Sequence, residues 1–254
     1  MKRTLFPLAA ALFLPAAAAC RAAEPATLAE TLLASYEGIQ TVSCSIRKDT
    51  AAQGKSVQML SRVHYQKPDK IHVENVTPMK RRIIADGKTL FYSQEGMPRG
   101  FSRPISQLDE EWLTMLRSVP GSPMEHLMRL KGCPETNLVA SADLPVRRGY
   151  FGKQKFVALS CDAMGRLCRI EVFKGPDMKE KTAQYDYSAF QKVAEGCWIP
   201  WVYKAFYLLG AIRAEETRRL DSLSVNRPIP AGLFDASAFM KGIEFTPEFE
   251  NSVD

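Results

Sequence analysis

The stretch Val63–Tyr92, VHYQKPDKIHVENVTPMKRRIIADGKTLFY, narrows what this chain can fold into more than any other. It is rich in β-branched and aromatic residues and lacks a helical period, so it reads as strands. Pro68 fixes its own φ and pushes Lys67 towards extended geometry. Lys67-Pro68-Asp69-Lys70 is therefore a turn, between a strand ending at His64-Tyr65-Gln66 and one opening at Ile71 and Val73. Asp86-Gly87 is a strong tight-hairpin signal, with Ile83-Ile84 leading in and Thr89–Tyr92 returning. The expectation is a β-meander of three consecutive strands.

The chain on either side extends this sheet. Thr27-x-x-Glu30 has capping-box form, and Leu28, Leu32, Leu33 and Tyr36 mark one face of a first helix over Thr27–Glu37. Gly38 is expected to end it in the left-handed conformation. Gln40–Asp49 then alternates, as does the run through Val57, Met59, Ser61, Val63 and Tyr65. Between Glu95 and Gly132 the β signal fades. Ser106–Asp109 caps a short helix bearing Leu108, Trp112, Met115 and Leu116, and Ser122-Pro123 opens another bearing Met124, Leu127, Met128 and Leu130. From Asn137 the chain is again strand-like, with turns at Gly165, Gly175-Pro176 and Glu195-Gly196. Pro200 argues for an edge or a bend. The tail carries Phe239 and Phe245 at no clean period. With no repeat or linker in 254 residues, one domain is the better count.

Residues 1–22 are set apart. Lys2-Arg3, the apolar Leu5–Leu14 and the small residues Ala16–Ala19 have the order of a cleaved secretory signal, and the apolar run is too short to span a bilayer. Cleavage is permitted before Cys20 or before Ala23. Ala17-Ala18-Ala19-Cys20 also has the form of a weak lipoprotein signal, making Cys20 a candidate for lipidation, which would tether the chain to a membrane. The mature domain is expected over residues 23–254. Cleavage before Ala23 leaves 31 basic against 28 acidic residues, a modest charge of +3. An exported protein with so little excess charge is not expected to bind nucleic acid.

Export places the remaining cysteines, Cys44, Cys133, Cys161, Cys168 and Cys197, where disulfides can form. A hairpin centred on Met164-Gly165 would set Cys161 opposite Cys168, and that bridge is the favoured pairing. The other three supply at most one more. No Cys-x-x-Cys occurs and the histidines are remote from the cysteines, so no metal site is expected.

Catalytic chemistry is hard to find. His64, His72 and His126 are the histidines of the chain, and antiparallel pairing across the Lys67–Lys70 turn can bring the first two together. They have no third partner for a metal site or a catalytic group. There is no Gly-x-Ser-x-Gly elbow and no phosphate-cradling glycine loop, and no cofactor is expected. What remains is a one-sided sheet with short apolar helices. They either pack as a dry core or enclose a cavity, for which unbranched, polarizable methionines are suited as a lining.

Several motifs carry a resemblance. Lys67-Pro68-Asp69-Lys70 followed by Asp86-Gly87-Lys88-Thr89-Leu90-Phe91-Tyr92 resembles the LolA-type periplasmic lipoprotein carriers and related lipoprotein-sorting proteins. Tyr36-x-x-Ile39-Gln40-Thr41-Val42 is similar to that family's helix-to-first-strand junction. Gly196-x-Trp198-Ile199-Pro200 and Val225-Asn226, followed by Phe234, resemble its sorting-protein branch. The resemblance implies an α+β fold: a curved antiparallel open half-barrel whose concave apolar face is covered by a helical lid and holds acyl chains. With such a cavity, the candidate cavity and lid residues are Lys67, Val73, Phe91, Leu108, Trp112, Met115, Leu116, Met124, Leu127 and Met128. Lys67 stands where the family typically has an arginine, implied to bond across the closed lid. The resemblance further implies a monomeric, non-enzymatic carrier of lipoprotein acyl chains or other lipids, working between an inner-membrane donor and an outer-membrane acceptor. The rivals are an envelope sensor or scaffold that binds a protein partner, and a lipid-modifying enzyme.

Overall fold

The computed structural model describes residues 26–152, 155–210 and 212–248; the expected secretory signal over residues 1–22, with Cys20, lies outside them. Helix α1 (Leu28–Ala34) leads into β1 (Thr41–Ala52), β2 (Lys55–Gln66), β3 (Lys70–Thr77), β4 (Arg81–Asp86), β5 (Thr89–Gln94) and β6 (Arg99–Pro104). Two short helices follow, α2 (Glu110–Arg117) and α3 (Met124–Met128). The chain then adds β7 (Glu135–Asn137), β8 (Val146–Phe151), β9 (Phe156–Cys161), β10 (Leu167–Phe173), β11 (Lys181–Ala194), β12 (Cys197–Leu209) and β13 (Ile212–Val225). It closes with α4 (Ala236–Phe239) and β14 (Glu244–Thr246).

All fourteen strands form one curved, open sheet in the order β14-β6-β5-β4-β3-β2-β1-β13-β12-β11-β10-β9-β8-β7. It is two meanders joined at its middle, where β1 pairs antiparallel with β13 from Val42↔Val225 to Ala52↔Ala214. Asn226 seals that join. Its side-chain amide donates to Gly38 O at 3.0 Å, and its oxygen accepts from Gln40 N at 2.7 Å. The two motifs at Tyr36–Val42 and Val225-Asn226 are thus neighbours in space.

Local signals were translated closely. Thr27 and Glu30 form the reciprocal capping box of α1, and Asp109 caps α2 by accepting from Trp112 N at 3.0 Å. Gly87 takes a φ of 98°, while the Asp86 carboxylate accepts from Lys88 N and Thr89 N at 2.7 and 2.8 Å. Pro200 pairs with Phe190 on β11, and β12 meets β13 only from Val202 onward, so the missing N–H interrupts no ladder there.

Other expectations are corrected. The Val63–Tyr92 stretch holds parts of four strands, because Thr77 and Pro78 end β3 before β4 begins. Gly38 does not adopt a positive φ; α1 unwinds through the turns Tyr36 N–Leu33 O and Glu37 N–Ala34 O. Helix is also scarcer than an α+β reading implies, since α1, α2 and α3 have 7, 8 and 5 residues. The expected Cys161–Cys168 disulfide is absent. A register shift puts Leu167 opposite Cys161 and Arg169 opposite Ser160, so Cys168 falls in a bulge and all five described cysteines are free.

Alternation along the strands creates two faces. The inner face, on which α1–α3 pack, buries Val63, Tyr65, Ile71, Ala85 and Leu90 against Leu116 and Leu127. On the outer face of the first meander, Ile84 and Phe91 are covered by Ala236, Phe239, Met240 and Phe245 from the C-terminal segment. That segment is pinned by β14, which pairs parallel with β6.

Candidate functional site

The inner face is not filled throughout. One hollow of about 340 Å³ lies between β1–β3 and the segment from Met115 to Ser122, with Met59, Val63, Ile71, Val73 and Met115 in its walls. A second, of about 580 Å³, lies over β9–β12 beside α3 and is lined by Leu130, Val157, Ile170, Val172 and Ala183. Both volumes fall in the ~300–1,000 Å³ range of ordinary ligand pockets. A narrow space of about 60 Å³ stands between them. It shares Ser122, Glu125 and Arg218 with the first hollow and His126 with the second. The three form a trough, apolar at both ends and polar at its waist.

The waist is built by strands distant in sequence. Glu216, only 3% exposed, accepts from Lys48 Nζ at 2.6 Å and from Arg218 Nε. Burial pushes the Glu216 carboxyl up, but Arg218 and Lys48 outweigh it and hold it below the usual carboxylate range. Arg218 lies over the Tyr203 ring at 4.8 Å, and Tyr203 packs against Tyr187 at 5.4 Å and Tyr185 at 5.9 Å between ring centroids. The Tyr187 hydroxyl is buried without a hydrogen-bond partner. From α3, Glu125 pairs with Arg129 at 2.9 Å, and His126 packs on Tyr185 at 4.3 Å. Burial, then Arg129 and Arg218, depress His126 to about 4, so it is neutral at pH 7.

The ten residues proposed from sequence separate into distinct settings. Val73 and Met115 line the first hollow. Leu108, Leu116, Met124 and Leu127 are inside the packed core, and the Met124 sulfur accepts from Val119 N at 3.5 Å. Trp112 and Met128 are partly buried against that core, Trp112 stacking on Phe101 at 6.4 Å. Phe91 is a correction: it points to the outer face and packs edge-on against Phe245 at 5.3 Å, away from the trough. Sequence reasoning passed over Lys48, Glu216, Arg218 and the tyrosines. The period-two spacing of Tyr185 and Tyr187, the latter opposite Tyr203, was the available signal.

Lys67 has a definite task. Its ammonium donates to the carbonyls of Tyr36 and Glu37 at 3.0 and 2.9 Å, tying the C-terminal end of α1 to the turn before β3. Replacing Lys67 with Met should cost about 1 kcal/mol, less than a fully buried charged hydrogen bond because one contact is exposed, and Lys67→Arg should recover most of it. Urea midpoints check the magnitude, and faster amide exchange around Gly38–Thr41 checks the location.

His64 and His72 do pair across β2 and β3, with ring centroids 6.2 Å apart, but on the outer face. His64 Nδ1 is 2.9 Å from Ser43 Oγ, and His72 packs under Phe239 at 4.6 Å. Among the described residues no group of three His, Cys, Asp or Glu side chains could hold a metal ion.

Compared by sequence, the chain matches no protein-family model and no curated protein. Compared by structure, it matches a DUF1329 family protein from Desulfovibrio piger with a TM-score of 0.58 at 9% identity, over 83% of this chain and 95% of that one. A putative outer membrane lipoprotein-sorting protein domain from Vibrio parahaemolyticus gives 0.55 at 10%, over 83% and 96%. A LolA superfamily protein from Nitrosomonas europaea gives 0.52 at 13%, over 83% and 98%. At such identities the likeness is one of fold, and this chain has the LolA-like fold.

Proposed function

We propose that this LolA-like chain is a periplasmic, non-enzymatic carrier that binds acyl chains of lipoproteins or other acylated lipids in its trough and moves them towards the outer membrane. The observation that carries this reading is an open trough with apolar ends on the helix-covered face of the sheet. Each CH₂ transferred from water into such a space gains roughly 0.8 kcal/mol, so acyl burial alone can drive capture. On this reading residues 23–254 act as one lipid-binding domain, and α2 and α3 act as a lid with Trp112 as its plug. Lys67 latches the neighbouring helix. Delivery requires an inner-membrane donor and an outer-membrane acceptor, and export rests on residues 1–22, with Cys20 the point of attachment if it is lipidated.

Native mass spectrometry of protein purified without detergent from its own envelope tests the proposal. The expected result is added mass from an acylated species, which Met115→Glu removes while the protein stays folded. Protein that remains lipid-free after incubation with both diacyl-lipid vesicles and a diacylated lipopeptide would overturn the carrier reading and favour a partner-binding scaffold.

A further inference from the structure

The trough has two apolar ends and a waist that mixes Arg218 and hydroxyl groups with the Glu125 carboxylate, and this division says more about its occupant than apolar volume does. We propose that it takes an anionic diacyl glycerophospholipid, one chain in each end and the phosphate at the waist on Arg218 and the Tyr187 hydroxyl. This inference rests on the acyl-binding reading above and specifies its ligand.

Three observations converge. The hollows of about 340 and 580 Å³ lie on opposite sides of the waist, one over β1–β3 and the other over β9–β12, so two chains diverging from a common point can fill both. A single fatty acyl chain accounts for only one. At the waist, the Tyr187 hydroxyl is buried and orphaned in a residue 5% exposed, the state expected of a donor whose partner is a ligand. Arg218 engages Glu216 through Nε, and its side chain is 46% exposed, so the guanidinium is open to an incoming acceptor.

Charge supplies the third observation. Glu125 is matched by Arg129, and Glu216 by Lys48 and Arg218 together, so one positive charge remains unbalanced at the waist. His126, neutral at pH 7, does not alter the count. Arg219 and Lys155, which line the waist and the second hollow, add to the same sign. A phosphodiester monoanion matches this excess and offers the guanidinium two oxygens. The diacylglyceryl group of a lipoprotein can offer the hydroxyl an ester carbonyl but, being uncharged, would leave the excess charge unanswered.

The test presents the protein with vesicles of phosphatidylcholine doped with dioleoylphosphatidylglycerol or with dioleoylglycerol, and separately with a diacylated lipopeptide. Bound lipid is quantified after gel filtration. The expected result is roughly tenfold preferential uptake of phosphatidylglycerol over dioleoylglycerol, the scale of one charge-assisted contact. Arg218→Gln and Tyr187→Phe should each lower that ratio. Tyr187→Phe keeps the ring and deletes only the orphaned hydroxyl, so it decides the matter if Arg218→Gln does not fold. Equal loading of the two lipids, higher loading of the lipopeptide, or a ratio unmoved by Tyr187→Phe overturns the phospholipid assignment and leaves the carrier reading standing. Absence of every acylated ligand overturns both.

Discussion

Lowering the pH from 6.5 towards 4 is expected to remove up to roughly 3 kcal/mol of folding stability through His126 alone. The unfolded imidazole titrates near 6.5, whereas burial first, then Arg129 and Arg218, lower it to about 4 in the folded protein. Between those values the unfolded chain binds a proton that the folded chain refuses, so stability falls as the pH falls. It is fully present above 6.5, and the loss is complete below 4. The groups around the ring explain why no relief is available: Arg129 on its own side, Arg218 across the waist and Tyr185 against its face, with Glu125 engaged by Arg129. His64 and His72, also lowered chiefly by burial, add slope of the same sign. The difference between wild type and His126→Phe isolates the one residue. Urea midpoints at pH 7 and pH 5 should lie closer together in the variant than in the wild type, with His64 and His72 accounting for part of what remains; a wild type equally stable at both would contradict the burial of this ring.

A second large effect belongs to Leu127. It is fully buried where α3 meets the inner face, in a core shared with Leu116, Val119 and Tyr187. Leu127→Ala should cost about 2–5 kcal/mol, because the rigid sheet beneath cannot collapse into the space left behind. Met115, partly exposed in the wall of the first hollow, should behave in the opposite way. Met115→Ala should cost less than about 1 kcal/mol yet weaken acyl-ligand uptake. Thermal melts and lipid loading measured on both variants separate packing from binding. A Leu127→Ala protein that melts with the wild type would mean that α3 is not anchored as described.

The position of the waist also clarifies why its charges stay ionised. Glu216 is buried, and losing either basic neighbour alone would leave it with the other. Such paired burial contributes little net stability in general.

What the amino-acid sequence determines by itself is the local structure. The capping box at Thr27, the cap at Asp109, the Asp86-Gly87 hairpin and the alternation of β1 and β2 each depend on residues a few positions apart, and each was readable for that reason. The sheet-forming character of Val63–Tyr92 and the motifs resembling LolA-type carriers belong to the same level. Which side of the sheet receives the helices is decided elsewhere. Alternation assigns Phe91 and Tyr92 to opposite faces without saying which is inner, and that choice waits on α2, α3 and the C-terminal segment. A single-residue bulge moved Cys168 out of line with Cys161, a change too small to register in hydrophobic pattern. Lys48 and Glu216, 168 positions apart, meet only because β1 and β13 join the two meanders. The trough and its polar waist arise from that pairing, since their walls come from residues as far apart in sequence as Ile46 and Leu220.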